Sequence, residues 1–176
     1  FACRTRGDAA PVDVAALARE VIAQLKSSLP PQIEVRTELE GAHRVLADPV
    51  SMHQVIMNLC TNGVQAMSRA GGVLRVNVRQ VLLDMESARL RHVPSAGAYV
   101  ELTVADTGEG IAPTVIDSIF EPYFTTKEPG KGSGLGLAVV LGIVKSLRGA
   151  IAVSSAAGQG ALVFEDPATT ESAPGE

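Results

Sequence analysis

Three groups of residues in this chain have the types and spacing to do chemistry. They are the pair Asn58 and Asn62, the turn Asp106-Thr107-Gly108-Glu109-Gly110-Ile111, and the turn Gly132-Ser133-Gly134-Leu135-Gly136-Leu137. Asparagines at i and i+4 of a helix lie one above the other, and each offers a carbonyl oxygen. Such a pair suits a pocket wall facing a hard cation or a phosphate. A glycine turn that runs into a helix start presents unpaired backbone N–H groups and the positive end of the helix dipole, both of which favour a polyphosphate. Neither turn matches a common nucleotide motif by spacing. The second lacks the G-x-G-x-x-G pattern, and Gly130-Lys131 is followed by Gly132 rather than by Ser or Thr, so it is not a Walker loop. Taken singly, either turn also reads as plain loop punctuation.

The elements that must position these residues are legible from periodicity. A helix is expected over 13–29, with Asp13 as N-cap, apolar spacing through Val14, Leu17, Val21, Ile22 and Leu25, and Pro30-Pro31 as its stop. Residues 33–39 alternate as a half-buried strand, and 44–47 make a second, shorter candidate. Asp48-Pro49 opens a helix running to about residue 69. One side of it carries Val55, Ile56, Leu59, Cys60, Gly63, Ala66 and Met67, and the other Gln54, Asn58, Asn62 and Gln65. That second side is polar but uncharged, whereas a solvated helix face normally carries Lys and Glu. Gly63 costs about 1 kcal/mol against alanine in a helix interior, so something is expected to pack closely there.

Leu74, Val76 and Val78 mark a strand after Gly71-Gly72, and residues 84–97 read as an irregular hairpin connection. Tyr99, Val100, Leu102 and Val104 lie on a strand that delivers Asp106 at its end. A short helix is expected over 113–120, with Pro113 in its first turn. A Pro/Thr/Lys/Gly-rich loop covers 121–133, a helix 134–147, and two closing strands 151–154 and 161–164 around Gly158-Gln159-Gly160. Residues 166–176 have no apolar pattern and read as a disordered tail or linker.

With 176 residues and 46% hydrophobic composition, the chain is long enough for one domain with a buried core. A net charge of −4 and the lack of basic runs interleaved with aromatics argue against nucleic acid as a partner. The longest strongly apolar stretch, 135–144, falls well short of the roughly 20 residues that cross a bilayer. Cys3 and Cys60 are the only cysteines and give no disulfide framework or metal cluster, which fits a reducing, cytoplasmic setting. The chain starts at Phe1 with no signal segment, and residues 1–11 read as the end of a linker from a longer protein.

Read together and in order, these features resemble the catalytic, ATP-binding domain of sensor histidine kinases, within the gyrase, Hsp90, histidine kinase and mismatch-repair ATPase superfamily. The resemblance covers residues 12–165. The segment 48–67, with Gln54-Val55-Ile56-Met57-Asn58-Leu59 and Asn62, is similar to the N box, and 106–111 to the first glycine box. Phe120-Glu121-Pro122-Tyr123-Phe124-Thr125-Thr126-Lys127 is similar to the F box, in wording close to kinases of the nitrogen-regulation type, and 132–137 to the second glycine box.

The resemblance implies an α+β fold, a two-layer α/β sandwich of the Bergerat type: a mixed sheet, helices on one face and a flexible ATP lid. It implies that Asn58 and Asn62 hold Mg²⁺ against the triphosphate of ATP. Asp106 would accept a hydrogen bond from the adenine amino group, with Gly108, Gly110, Ile111 and Ala66 around the base. Taken alone, Asp106 also reads as a turn-starting Asp that caps its own backbone. Gly132, Gly134, Leu135, Gly136 and Leu137 would hold the phosphates, and Phe124, Thr125, Thr126 and Lys127 would lie on the lid. Lys127 is a candidate phosphate contact and equally a solvated lysine. No residue is assigned as catalytic beyond that.

ATP-hydrolysing relatives place a water-activating glutamate where this chain has Asn58, and an amide cannot take that proton. Phosphoryl transfer to a histidine is therefore expected. His43, His53 and His92 lack the acidic neighbour and downstream proline of the family's phosphoacceptor helix. The implied partners are an upstream dimerisation hairpin bearing that histidine, absent from this chain, and a response regulator receiver domain. This piece is expected to be monomeric and the whole kinase a homodimer. A hydrolytic ATPase of the same superfamily and a non-catalytic nucleotide-binding or interaction module stay open as alternatives.

Overall fold

The computed structural model describes residues 9–127, 130, 132–156 and 159–167, with the backbone alone for 156 and 159–167. In chain order the elements are β1 (Ala10–Asp13), α1 (Val14–Lys26), β2 (Ile33–Leu39), β3 (Arg44–Ala47), α2 (Pro49–Ala66) and β4 (Gly72–Leu83). There follow α3 (Met85–Leu90), β5 (Gly97–Asp106), α4 (Gly136–Ser146), β6 (Ala150–Ala156) and β7 (Gln159–Pro167).

Two aspartates launch the first two helices. Asp13 Oδ1 accepts the Ala16 N–H at 3.0 Å, while Asp48 accepts the Ser51 N–H at 3.1 Å and the Ser51 hydroxyl at 2.7 Å. Pro49 occupies the start of α2, where its missing N–H does no harm. Strands β1 and β3 pair antiparallel, Ala10 opposite Ala47 and Asp13 opposite Arg44, which places the two helix starts at opposite ends of the ribbon. The fold therefore takes in Ala10 and Pro11, assigned above to a linker. A four-residue strand containing proline has no local signal and is held by its partner strand alone.

The main sheet is mixed, in the order β2-β4-β5-β7-β6, with β2 parallel to β4 and the other pairs antiparallel. Registers Val76↔Val104, Val78↔Leu102 and Leu74↔Asp106 put these residues on one face. That face packs on α1, α2 and α4, whose Ala18, Val21, Val55, Ile56, Leu59, Val140 and Val144 complete the core. The α+β sandwich is thus observed, with α1, α2 and α4 on one face and the short α3 packed by Ala88 against Tyr99 on the other; period-2 alternation carries Asp106 onto the α2 side at the strand's end.

The opposite face holds Arg79 directly across from Glu101. Glu101 is only 4% exposed and is bonded by Arg79 Nε at 2.7 Å and Arg91 Nη1 at 2.8 Å, so its buried charge is paired twice.

Two expectations are corrected. Residues 84–97 contain α3, with Asp84 as N-cap to the Ser87 N–H at 2.7 Å; six residues are too few to display helical periodicity. Residues 113–120 form only one 3-10 turn, Ile116–Ser118. The β-branched Thr114, Val115 and Ile116 disfavour a longer helix there. The residues 1–8 of the expected linker, 157–158 of the expected turn and 168–176 of the expected tail lie outside the described residues.

Candidate nucleotide-binding site

The polar face of α2 looks onto the second glycine turn. Asn58 Nδ2 donates to the Gly136 carbonyl at 3.3 Å. A carbonyl only accepts, so this contact assigns the amide orientation and leaves Oδ1 as the atom that can accept. Asn62 lies one turn on, half-buried, with no hydrogen bond to its amide among the described residues. Two amide oxygens on one helix face, beside a backbone turn, fit Mg²⁺, which prefers oxygen and is commonly completed by water and substrate phosphates. Among the described residues no group of three His, Cys, Asp or Glu stands ready to hold a metal by itself.

The geometry of Asp106 accommodates both readings made of it from the sequence. Its Oδ1 accepts the Gly108 N–H at 2.8 Å, the self-capping turn. Its Oδ2 is left facing α2, 3.7 Å from where a β-carbon on Gly63 would stand. Burial pushes the Asp106 carboxyl above its ordinary value, and the Gly108 N–H opposes that only in part. Gly63 is buried, and a β-carbon there would meet Leu74 Cδ1 at 2.7 Å, which accounts for a glycine in mid-helix.

The first glycine turn is pinned from three sides. A β-carbon on Gly108 would stand 2.6 Å from the Ala66 carbonyl oxygen and 2.7 Å from its carbon, so the turn lies directly against the end of α2. Thr107 Oγ1 accepts the Val73 N–H at 3.0 Å, and the Ile111 N–H reaches Ser155 Oγ at 2.6 Å. Gly110 takes a left-handed φ of 73°. A cavity of about 220 Å³ opens beside this turn, lined by Ala66, Met67, Arg69, Thr107, Gly108 and Glu109 among others. Gly108→Ala drives a methyl group into backbone that cannot yield. It is expected to cost about 1–3 kcal/mol and to lower the melting temperature by several degrees, read by thermal unfolding.

The lid segment folds back onto the second glycine turn. The Tyr123 N–H donates to the Gly134 carbonyl at 2.9 Å, and both residues have φ of 67°. A non-glycine residue in that region is strained, here at an exposed tyrosine. Phe124 is half-buried, while Thr125, Thr126 and Lys127 are exposed. Leu135 is exposed and Leu137 packs against the core. Helix α4 has no side-chain cap, so its first N–H groups stay available at the turn. Lys127 Nζ bonds to Gln65 Oε1 on α2.

All the expected site residues therefore lie along α2, the two glycine turns and the lid. Thr107, Ser155 and Tyr123 were not singled out from sequence. Ser155 lies 44 positions from Ile111, and no local pattern links the two. His53 Nε2 bonds Gln24 of α1 at 3.1 Å, and the buried Cys60 thiol is pushed up to about 12 by desolvation, so neither takes part in the site.

Residues 47–165 match the family described as "Histidine kinase-, DNA gyrase B-, and HSP90-like ATPase". "Sensor kinase CckA" of Brucella abortus is 40% identical over 147 residues, covering 80% of this chain and 15% of that protein. "Sensor histidine kinase ZraS" of Salmonella typhimurium is 39% identical over 132 residues, covering 74% and 25%. The chain thus spans a quarter or less of the length of these curated relatives. A solved structure of full-length ShkA in complex with AMPPNP superposes with a TM-score of 0.71 at 29% identity, covering 98% of this chain and 34% of that one. No helix among the described residues is long and apolar enough to cross a membrane. Family model and relatives agree: the chain belongs to the histidine kinase-, DNA gyrase B- and HSP90-like ATPase family, and the relatives named here are sensor kinases.

Proposed function

We propose that this chain is the phosphoryl-donating half of a histidine kinase. It binds ATP with Mg²⁺ and presents the γ-phosphoryl group to a histidine on a separate helical hairpin of the same protein. Asp106 Oδ2 accepts from the adenine amino group, which selects adenine over guanine because guanine carries a carbonyl acceptor there. Asn58 and Asn62 turn amide oxygens toward the triphosphate and its metal. Gly134, Leu135 and Gly136 lead the phosphates to the uncapped start of α4. Mg²⁺ would supply charge neutralisation on the phosphate oxygens. An imidazole nitrogen of the incoming histidine forms the new N–P bond as the bond from γ-phosphorus to its bridging oxygen breaks, and ADP leaves.

Transfer is favoured over hydrolysis by one observation: Asn58, an amide bonded to Gly136, stands where a water-activating base would be needed, and α2 carries no carboxylate anywhere along its length. The further partners of this reading are a response regulator receiver domain that accepts the phosphoryl group and a second copy of the whole kinase, in a cytoplasmic setting.

The test is incubation with γ-labelled ATP, with and without an added helical hairpin from a sensor histidine kinase. Acid-labile label is expected on the hairpin alone, with phosphate release near background when it is omitted. Label on His43, His53 or His92, or steady phosphate release without the hairpin, would overturn the reading.

A further inference from the structure

Lys127 is held at three points. Its backbone N–H donates to Thr125 Oγ1 at 3.1 Å. Its Cδ lies 3.0 Å, and its Nζ 3.8 Å, from the point where a β-carbon on Gly132 would stand. Its Nζ donates to Gln65 Oε1 on α2. The exposed Lys127 side chain therefore bridges α2 and the second glycine turn.

Gln65 lies seven residues beyond Asn58, roughly 10 Å along the helix. Asn58 makes the other bridge from α2 to the same turn, through the Gly136 carbonyl. Asn62 lies between the two bridges. The polar face of α2 is thus tied to the turn and the lid at two places, with amide groups at Asn58 and Asn62 and a cation at Gln65.

The residue type at position 65 decides what that cation can do. A glutamate would hold the lysine more strongly but would cancel its charge. A glutamine accepts the hydrogen bond and leaves the charge in place, and among the described residues no ion pair involves Lys127. Partial burial accordingly pulls the Lys127 pKa below its ordinary value, as expected for an ammonium with an amide instead of a counter-ion.

We infer that Gln65 is a positioning residue: it holds the Lys127 ammonium, unneutralised, against the polar face of α2 beside the second glycine turn, so that the lysine meets the outer phosphates of the nucleotide rather than the base. The inference rests on the ATP site proposed above. It adds that the outer phosphates are read through a lid lysine whose place is set from α2.

Binding of ATP and of AMP to this chain in the presence of Mg²⁺, measured by calorimetry, tests it. The chains compared are the wild type, Gln65→Ala, Lys127→Ala, the double variant and Gln65→Glu. Lys127→Ala is expected to weaken ATP by about 10-fold, the range of a charge-assisted contact, with AMP unchanged. Gln65→Ala should weaken ATP about 5-fold, leave AMP unchanged and add nothing in the Lys127→Ala background. Gln65→Glu should also weaken ATP, because the tether is kept but the charge is quenched; a role as simple tether predicts no loss.

Equal losses for ATP and AMP in Gln65→Ala would mark Gln65 as structural only and overturn the inference. So would an undiminished or tighter ATP affinity, or a full effect in the Lys127→Ala background. A wild-type chain that binds neither nucleotide would instead remove the proposed function itself, a result distinct from all of these.

Discussion

Replacing Asp106 by asparagine is expected to weaken ATP binding by roughly 100-fold while leaving the fold as stable as before or slightly more so. A hydrogen bond to a charged group contributes about 1.5–3 kcal/mol, and an asparagine can keep Oδ1 on the Gly108 N–H only by turning an NH₂ donor toward the adenine amine, itself a donor. Stability moves the other way because burial raises this carboxyl above its ordinary value of 3.8. The folded state then holds the proton more tightly than the unfolded chain does. The group's contribution to stability is fully present below pH 3.8 and is lost as pH rises through the raised folded pKa.

The Asp106→Asn chain has no charge to bury at this position, so its melting temperature at neutral pH should equal or exceed that of the wild type. The same shift makes wild-type ATP affinity fall, relative to the variant, as pH is lowered through the raised value. Calorimetry and thermal unfolding at several pH values measure both effects. An unchanged affinity would exclude Asp106 from contact with the base.

A second large effect is expected at Gly134. Its φ of 67° costs an L-residue about 1–2 kcal/mol, and a β-carbon there would stand 2.5 Å from the Tyr123 carbonyl carbon and 2.8 Å from the Phe124 oxygen. Both obstacles are backbone and cannot swing aside. Gly134→Ala should therefore break the Tyr123–Gly134 hydrogen bond and spring the lid from the phosphate turn. ATP affinity is expected to fall by more than about 10-fold, the scale set by adding that strain to the lost phosphate contacts. The melting temperature without nucleotide should fall by less than the strain alone would give, because opening of the lid turn relieves it and Gly134 lies outside the hydrophobic core. A loss of stability as large as the strain, together with lost binding, would mean that the turn supports the core as well as the ligand.

These two positions differ in how far the sequence revealed them. Asp106 was placed by alternation alone: Val100, Leu102 and Val104 point to the helices, so the residue two further on does the same. The amide face of α2 was legible for a similar reason, since 3.6-residue periodicity sorts side chains without reference to anything outside the helix. Gly63 announced a close neighbour by its propensity cost, but that the neighbours are Leu74 and Asp106 required the packed sheet. Strand β1 and helix α3 escaped because each is too short to show a period and is fixed by its surroundings.

What the sequence by itself determined is the set of chemical groups and their local order: two stacked amides, a carboxylate at a strand end, two glycine turns and a lid carrying a lysine. Periodicity and turn chemistry act over a few residues, so such features survive without tertiary information. The tertiary structure alone decided which atoms are spoken for. Oδ1 of Asp106 is taken by Gly108 while Oδ2 faces α2, Nδ2 of Asn58 is taken by Gly136, and Lys127 is drawn onto Gln65, 62 positions away in the chain. Hydrogen-bond capacity is limited and is assigned by whatever lies within about 3 Å, and no sequence spacing specifies those neighbours.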